Sequence, residues 1–401
     1  EPVSSVGGGT STIPNHIFNL VKSIVGAGVL SLPAGIASFS NAPGGLLPAT
    51  VLIAAIGAIS GYGFSLIGRV CSYTDADSYR DAWSKSVGDE SSWIPAWSCT
   101  FKTLCAVLAY SMILADTFKS ILFTAGVQMS RSNTLFGVTG LVLLPLCLLK
   151  NLSSLAPFSL LGIAGMAYTA LAMGVRYFGG GYLVPDGQFL ADIAPQFVPR
   201  FGTTGAMGVL NPNVFILICM LSTSYMAHFN APKFYTELKN NTIARYNAVV
   251  SSSFAISVLF FVVMASLGFL TFGSASSGLI LNNYSTKDSL MGLSRVAVAL
   301  AIVFSYPLAF AGLRDGVLDL LSIPKDKRTN SLLNKVTLAA LSGVTALACV
   351  VKDLSFVLSF GGATLGNALI YVYPAIMFRS AVKNMGDKAT RGLRRGVKLA
   401  L

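Results

Sequence analysis

The sequence predicts an all-α polytopic membrane protein, and three observations carry that prediction. Of 401 residues, 53% are hydrophobic and only 11% are charged, against about 25% charged in an ordinary soluble domain. The apolar residues gather into about ten runs near the roughly 20 residues that a bilayer requires of a helix. The basic residues are sorted by side: Arg131, Arg176, Arg200, Lys287, Arg295 and Lys352 fall in loops on one side. Lys22, Lys102 and Lys119 lie within spans, and the rest of the 28 lysines and arginines fall on the other side. The net charge of +12 therefore orients the chain, with a cytoplasmic N-terminus. It forms no single patch of the kind that binds nucleic acid.

Residues 1–13 are rich in Gly, Ser and Thr and read as a flexible cytoplasmic tail. Residues 14–378 read as a transmembrane core, with a first half over 14–177 and a second over 212–378. Span 1 runs over about 14–39, span 2 over 46–70, span 3 over 97–127, span 4 over 135–149 and span 5 over 155–177. A polar connector fills 71–96, and 178–211 form the longest outer loop. Spans 6 to 10 follow over about 212–235, 248–272, 290–313, 332–351 and 354–378. Residues 379–401 carry seven basic residues and lead towards a possible eleventh span. The apolar run of span 1 is too long for a cleavable signal peptide. Asn283-Tyr-Ser285 is a glycosylation sequon in a loop assigned to the outside. Asn151-Leu-Ser153 and Asn240-Asn-Thr242 fall inside.

Two spans contain discontinuities. Span 1 reads Asn19-Leu-Val-Lys-Ser-Ile-Val-Gly-Ala-Gly-Val-Leu-Ser-Leu-Pro33. Glycine costs about 1 kcal/mol in a helix interior and proline about 3, so Gly26, Gly28 and Pro33 favour a break. Irregular backbone at membrane depth is tolerated only where it is buried in protein or lines a cavity. Span 6 is expected to break near Ser222-Thr223-Ser224. Interrupted helices in corresponding positions of two halves point to a ligand site between them. Five spans per half give the halves opposite orientation. The plainer reading is a glycine packing notch, with Lys22 snorkelling to an interface.

The six cysteines (71, 99, 105, 147, 219 and 349) lie in or beside apolar spans, and none pairs at metal-ligand spacing. Neither a disulfide framework, a zinc site nor a cofactor is indicated. Asp116 and Lys119 are spaced i, i+3 in span 3 and are expected to pair. Arg314 and Asp315 read as interfacial.

Three motifs resemble one family. Phe18 to Pro33 resembles the first span of the amino acid/auxin permease family. His228-Phe-Asn-Ala-Pro-Lys-Phe-Tyr-Thr-Glu-Leu238 is similar to the end of span 6 in its sodium-coupled neutral amino-acid transporter branch. Ser305-Tyr-Pro307 looks like that branch's Thr-x-Pro in span 8. The resemblance covers about 300 residues. It implies inverted repeats of the leucine-transporter type, five spans plus five, and secondary transport of amino acids.

With that implication, backbone groups freed at Gly26, Ala27, Gly28 and Ser31 become candidates to hold an amino acid's ammonium and carboxylate. The missing Cβ atoms at Gly26 and Gly28 admit close approach. Ser222, Thr223 and Ser224 offer hydroxyls at the second break; back-bonding within the helix is their alternative. Tyr110 could present its hydroxyl to a carboxylate or simply pack in the core, and His228 is a ligand or a packed histidine.

Lys22 departs from the pattern. The sodium-coupled branch usually carries there an asparagine that helps to ligate sodium, whereas the proton-coupled branch carries lysine. An ammonium beside Ser305 would occupy the cation's space. Two unit charges about 4 Å apart repel by roughly 4 kcal/mol at an effective dielectric of 20, which weakens a sodium site about a thousandfold. Eight residues from Pro14 at 1.5 Å rise place Lys22 about 12 Å into a core about 30 Å thick.

The expected activity is therefore proton-coupled or sodium-independent transport of neutral amino acids by a monomer. Its setting is the bilayer of the plasma membrane or a vacuolar or lysosomal membrane. Neutral substrates are favoured because Lys22 is the one charged residue read as lying near the breaks. The alternatives are a sodium-coupled symporter and an amino-acid-sensing membrane receptor. An enzyme would need paired acids, a metal cluster or a nucleophile–base set in the spans, and a channel would need rings of charge along a pore.

Overall fold

The computed structural model describes residues 9–149, 159–321, 323, 327–386 and 391–400. Among these the secondary structure is helical, with two isolated bridges, Ser11 to Leu238 and Arg200 to Gly273. The first half contains α1 (Ile13–Ile24), α2 (Leu32–Ala37), α3 (Leu46–Thr74), α4 (Tyr79–Ser86) and α5 (Trp93–Thr124). It continues with α6 (Arg131–Val138), α7 (Leu144–Cys147) and α8 (Ser159–Phe178). The second half contains α9 (Val214–Ser224), α10 (Ala231–Thr236), α11 (Ile243–Phe272), α12 (Ser289–Leu320) and α13 (Asn330–Val350). It ends with α14 (Leu354–Gly361), α15 (Tyr373–Asn384) and α16 (Arg391–Ala400).

Among the described residues, six helices are long and apolar enough to cross a bilayer, or eight if each of two bent pairs forms one span. The chain is thus an integral, multi-pass membrane protein, but the expected ten spans are not all met. Spans 4 and 5 are missing from that set. A π turn over Thr139–Leu143 separates α6 from α7, and residues 155–158 of span 5 lie outside the described residues, as does the Asn151 sequon.

The helix starts follow from their capping residues. Ser78, Ser130, Thr242, Asp288, Thr329 and Asp353 each accept a hydrogen bond from an amide in the first turn of the helix that they open. Each such cap contributes about 1 kcal/mol. Within the apolar helices, hydroxyls bond back to the preceding turn, as Thr169 does to Gly165 O at 2.8 Å and Ser257 to Ser253 O at 2.8 Å. That keeps a polar group satisfied where water is excluded.

Polar contacts tie the helix ends to one another. At the end nearest the N-terminus, Ser11 pairs with Leu238, the His16 ring bonds Phe234 O at 2.9 Å and Asn384 Nδ2 donates to Ser86 O at 2.9 Å. At the other end, Arg176 donates twice to Asp288 at 2.8 Å, and the Tyr182 hydroxyl donates to the same carboxylate at 3.0 Å. There, too, Asp116 accepts from Arg131 Nε at 2.6 Å. This corrects the expected pairing with Lys119: Arg131 opens α6 beside the end of α5, so the three-dimensional neighbour displaces the helical one.

The sequon residue Asn283 lies in the segment before α12. Its side chain is fully buried, accepts from Ser277 Oγ at 2.6 Å and donates to Ala275 O at 2.7 Å.

Two helices are sharply bent. Val25 and Gly26 separate α1 from a 3₁₀ turn over Ala27–Ser31, and the pair is bent by 42°. The glycine pair Gly361-Gly362 leads from α14 into π turns and α15, with a bend of 41°.

Candidate substrate site

The two interruptions meet. At the first, Val25 N bonds Val21 O at 2.7 Å and Gly26 N bonds Ile24 O at 2.9 Å. Ala27 and Gly28 open the 3₁₀ turn, so their amides have no carbonyl preceding them within it. Gly26 is extended, at φ −111° and ψ −169°, so its glycine serves open space rather than an unusual dihedral.

Span 6 is not one of the two sharply bent pairs, and its irregular residues fall three positions later than the expected break. The helix continues through Ser222, Thr223 and Ser224, and the irregular residues are Tyr225, Met226 and Ala227. Serine and threonine can be held in a helix by bonding backwards, as Ser222 does to Ile218 O at 3.0 Å and Ser224 to Met220 O at 2.8 Å.

A cavity lies where these segments approach α5 and α14. Its wall includes Gly26, Ala27 and Gly28 from the first interruption, and Thr223, Ser224 and Met226 from the second. Helix α5 contributes Lys102, Cys105, Ala106, Ala109, Tyr110 and Ile113. Leu358 and Gly361 of α14 and Ser23 and Ile24 of α1 complete it. Thr223 Oγ1 donates to Leu358 O at 2.7 Å, which ties α9 to α14 across one side. A Cβ at Gly26 would have only the Tyr110 hydroxyl, at 3.8 Å, as a near neighbour.

The structure thus brings six expected residues together: Gly26, Ala27, Gly28, Tyr110, Thr223 and Ser224. It places five others away from the cavity wall. Ser31 is fully buried and its hydroxyl has no partner among the described residues. Ser222 shares the Tyr371 hydroxyl with Ser60, at 3.2 Å from each. His228 is fully buried, with Nε2 at 2.8 Å from Ser60 O and its ring edge-on to Phe64. Lys22 is half-buried and makes no hydrogen bond or ion pair among the described residues; none joins it to Ser305.

Lys102 is the residue that sequence reasoning missed. The expectation that Lys22 is the one charged residue near the breaks is corrected, because Lys102 lines the cavity, with Nζ 5.0 Å from the centre of the Phe229 ring. Its signal was present: counting back from Tyr110 in steps of one helical turn reaches Ala106 and then Lys102 on the same face.

A cavity beside interrupted backbone, in a multi-pass helical protein, is the arrangement expected of a transporter's binding site. The sequence comparisons agree with that class. The family model for the transmembrane amino acid transporter protein matches residues 9–392. The chain belongs to this family of amino-acid transporters, the amino acid/auxin permeases.

Among its relatives is the Danio rerio protein named "Putative sodium-coupled neutral amino acid transporter 11", 25% identical over 377 residues, which are 92% of this chain and 79% of the relative. The Rattus norvegicus protein of the same name is 22% identical over 378 residues, 92% of this chain and 78% of the relative. The Arabidopsis thaliana "Amino acid transporter AVT6E" is 25% identical over 386 residues, 92% of this chain and 76% of the relative. These relatives are transporters, not enzymes.

Proposed function

We propose that the protein is a secondary active transporter of neutral amino acids that works by alternating access at the cavity between the two interruptions. The observation that carries this reading is the convergence of both interruptions on one cavity with free amides and the Tyr110 hydroxyl. The amides of Ala27 and Gly28 suit a carboxylate, and carbonyls at the end of α1 suit an ammonium. Ser222 and His228 act behind the wall, holding the interrupted segments through the Tyr371 hydroxyl and Ser60 O, and Ser31 is buried beside them. The architecture assigned is two inverted five-span repeats, and the chain acts as a monomer with a cytoplasmic N-terminus in the plasma membrane or a vacuolar or lysosomal membrane.

Coupling is assigned to Lys22 in place of sodium, with Ser305 of α12 as the second residue of that site. The absence of a partner for Lys22 among the described residues supports an ammonium free to give up or take a proton. A second reading, a sodium-coupled symporter, is favoured by the names of the Danio rerio and Rattus norvegicus relatives.

Uptake of a labelled neutral amino-acid mixture into proteoliposomes, under a sodium gradient or a pH gradient, separates the two. Uptake driven by inward acid, indifferent to sodium and gaining sodium dependence in Lys22→Asn, supports the first. Sodium-dependent uptake in the wild type establishes the second and removes the role of Lys22. Absence of uptake under both gradients contradicts both and favours an amino-acid-sensing receptor.

A further inference from the structure

Elsewhere in the molecule, several basic side chains beside the apolar interior face a carboxylate. Arg131 faces Asp116, and Arg176 faces Asp288. Lys102 does not. It sits in the wall of the cavity, makes no hydrogen bond or ion pair among the described residues, and rests its ammonium over the ring of Phe229. Among the described residues, no aspartate or glutamate is part of the cavity wall.

An ammonium withdrawn from water and left without a counter-ion is unfavourable unless something supplies one. A cation–π contact offsets only part of that cost. Among the described residues, the cavity wall carries one formal charge, and it is positive. A ligand that enters brings the missing anion if it carries a carboxylate, and adds repulsion if it carries a second cation.

We infer that Lys102 is a specificity-determining residue whose ammonium pairs with the substrate's carboxylate and excludes ligands of net positive charge. The inference rests on the transport reading above and deepens it by stating the charge of the substrate class. Lys102 lies eight residues from Tyr110, about 12 Å along α5. It therefore stands at the end of the cavity nearer the N-terminal face, and its flexible side chain can follow a carboxylate between the interrupted backbone and that end. Amino acids with neutral or acidic side chains meet this requirement. Lysine and arginine do not, nor do amino-acid amides, whose carboxylate is replaced by an uncharged group.

The test uses the whole protein in proteoliposomes. Leucine, leucinamide and lysine compete with labelled neutral amino-acid uptake by the wild type, Lys102→Met and Lys102→Arg. In the wild type, leucinamide and lysine compete at least a hundredfold more weakly than leucine. Lys102→Met raises the KM for neutral amino acids at least tenfold and brings the two cationic competitors within about tenfold of leucine. Lys102→Arg keeps the wild-type order.

A measurement on the unsubstituted chain stands even if Lys102→Met does not fold. Cys105 lies one turn along α5 in the same wall, and its alkylation by N-ethylmaleimide is followed by peptide mass spectrometry. Leucine slows alkylation at Cys105 and leucinamide does not. Equal protection by leucine and leucinamide, or unchanged selectivity in Lys102→Met, overturns the inference while wild-type uptake leaves the transport reading standing. No wild-type uptake of any neutral amino acid overturns both.

Discussion

Gly28 and Ser224 hold the two interruptions together: a Cβ at Gly28 would lie 2.9 Å from Ser224 Oγ, closer than real Cβ contacts come. The same Cβ would lie 3.6 Å from the Ser224 Cβ, an ordinary contact. The approach of the two segments is therefore limited by one hydroxyl oxygen.

That relationship makes a paired prediction. Gly28→Ala overpacks the contact and destabilises the protein by about 1–3 kcal/mol. Gly28→Ala/Ser224→Ala removes the oxygen and recovers at least half of that loss, a coupling of the size seen between contacting residues. Thermal unfolding in detergent checks it; equal stability of the single and double variants contradicts the contact.

His228 is predicted to be structural. Its imidazole fills a fully buried position between Phe64 and Phe254 and bonds Ser60 O. His228→Ala leaves a cavity at a fully buried position, at a cost of about 2–5 kcal/mol. The transport KM of the protein that remains folded is unchanged. A KM raised tenfold with stability preserved would return His228 to the substrate.

Asp288 is predicted to be a principal anchor of the end opposite the N-terminus. Its carboxylate is buried, caps α12, and accepts from Arg176 and Tyr182. Asp288→Ala removes the cap and strands the guanidinium, a loss of about 3–5 kcal/mol. A fall in unfolding temperature of only a degree or two in Asp288→Ala would show that the network is not stabilising.

Asn283 is predicted to stay unmodified. Expressed in a glycosylating cell, the wild type and Asn283→Gln migrate alike before and after treatment with an N-glycosidase. A glycan on Asn283 would require the loop to differ from the buried arrangement described here.

The membrane class and the first interruption were legible in the sequence because their causes are local. Low charge density and long apolar runs identify a bilayer-spanning chain, and Gly26, Gly28 and Pro33 each disfavour a straight helix on their own. The second interruption was placed three residues early because Ser222 and Ser224 look like breakers yet satisfy themselves by back-bonding. The pairing of Asp116 and the cavity-facing position of Lys102 depend on which helices meet. Residue spacing along α5 showed that Lys102 and Tyr110 share a face, but only the packed helices show that this face borders the interruptions.

The most direct measurement is labelled neutral amino-acid uptake by the wild type and by Gly26→Val in proteoliposomes. Gly26 has extended dihedrals that valine adopts, and its Cβ would point into open space near Tyr110. The side chain then fills the cavity without breaking the fold. Saturable uptake by the wild type, with at least a tenfold loss in a folded Gly26→Val, is the result predicted for a substrate site between the interruptions. Equal uptake by both would place the substrate elsewhere.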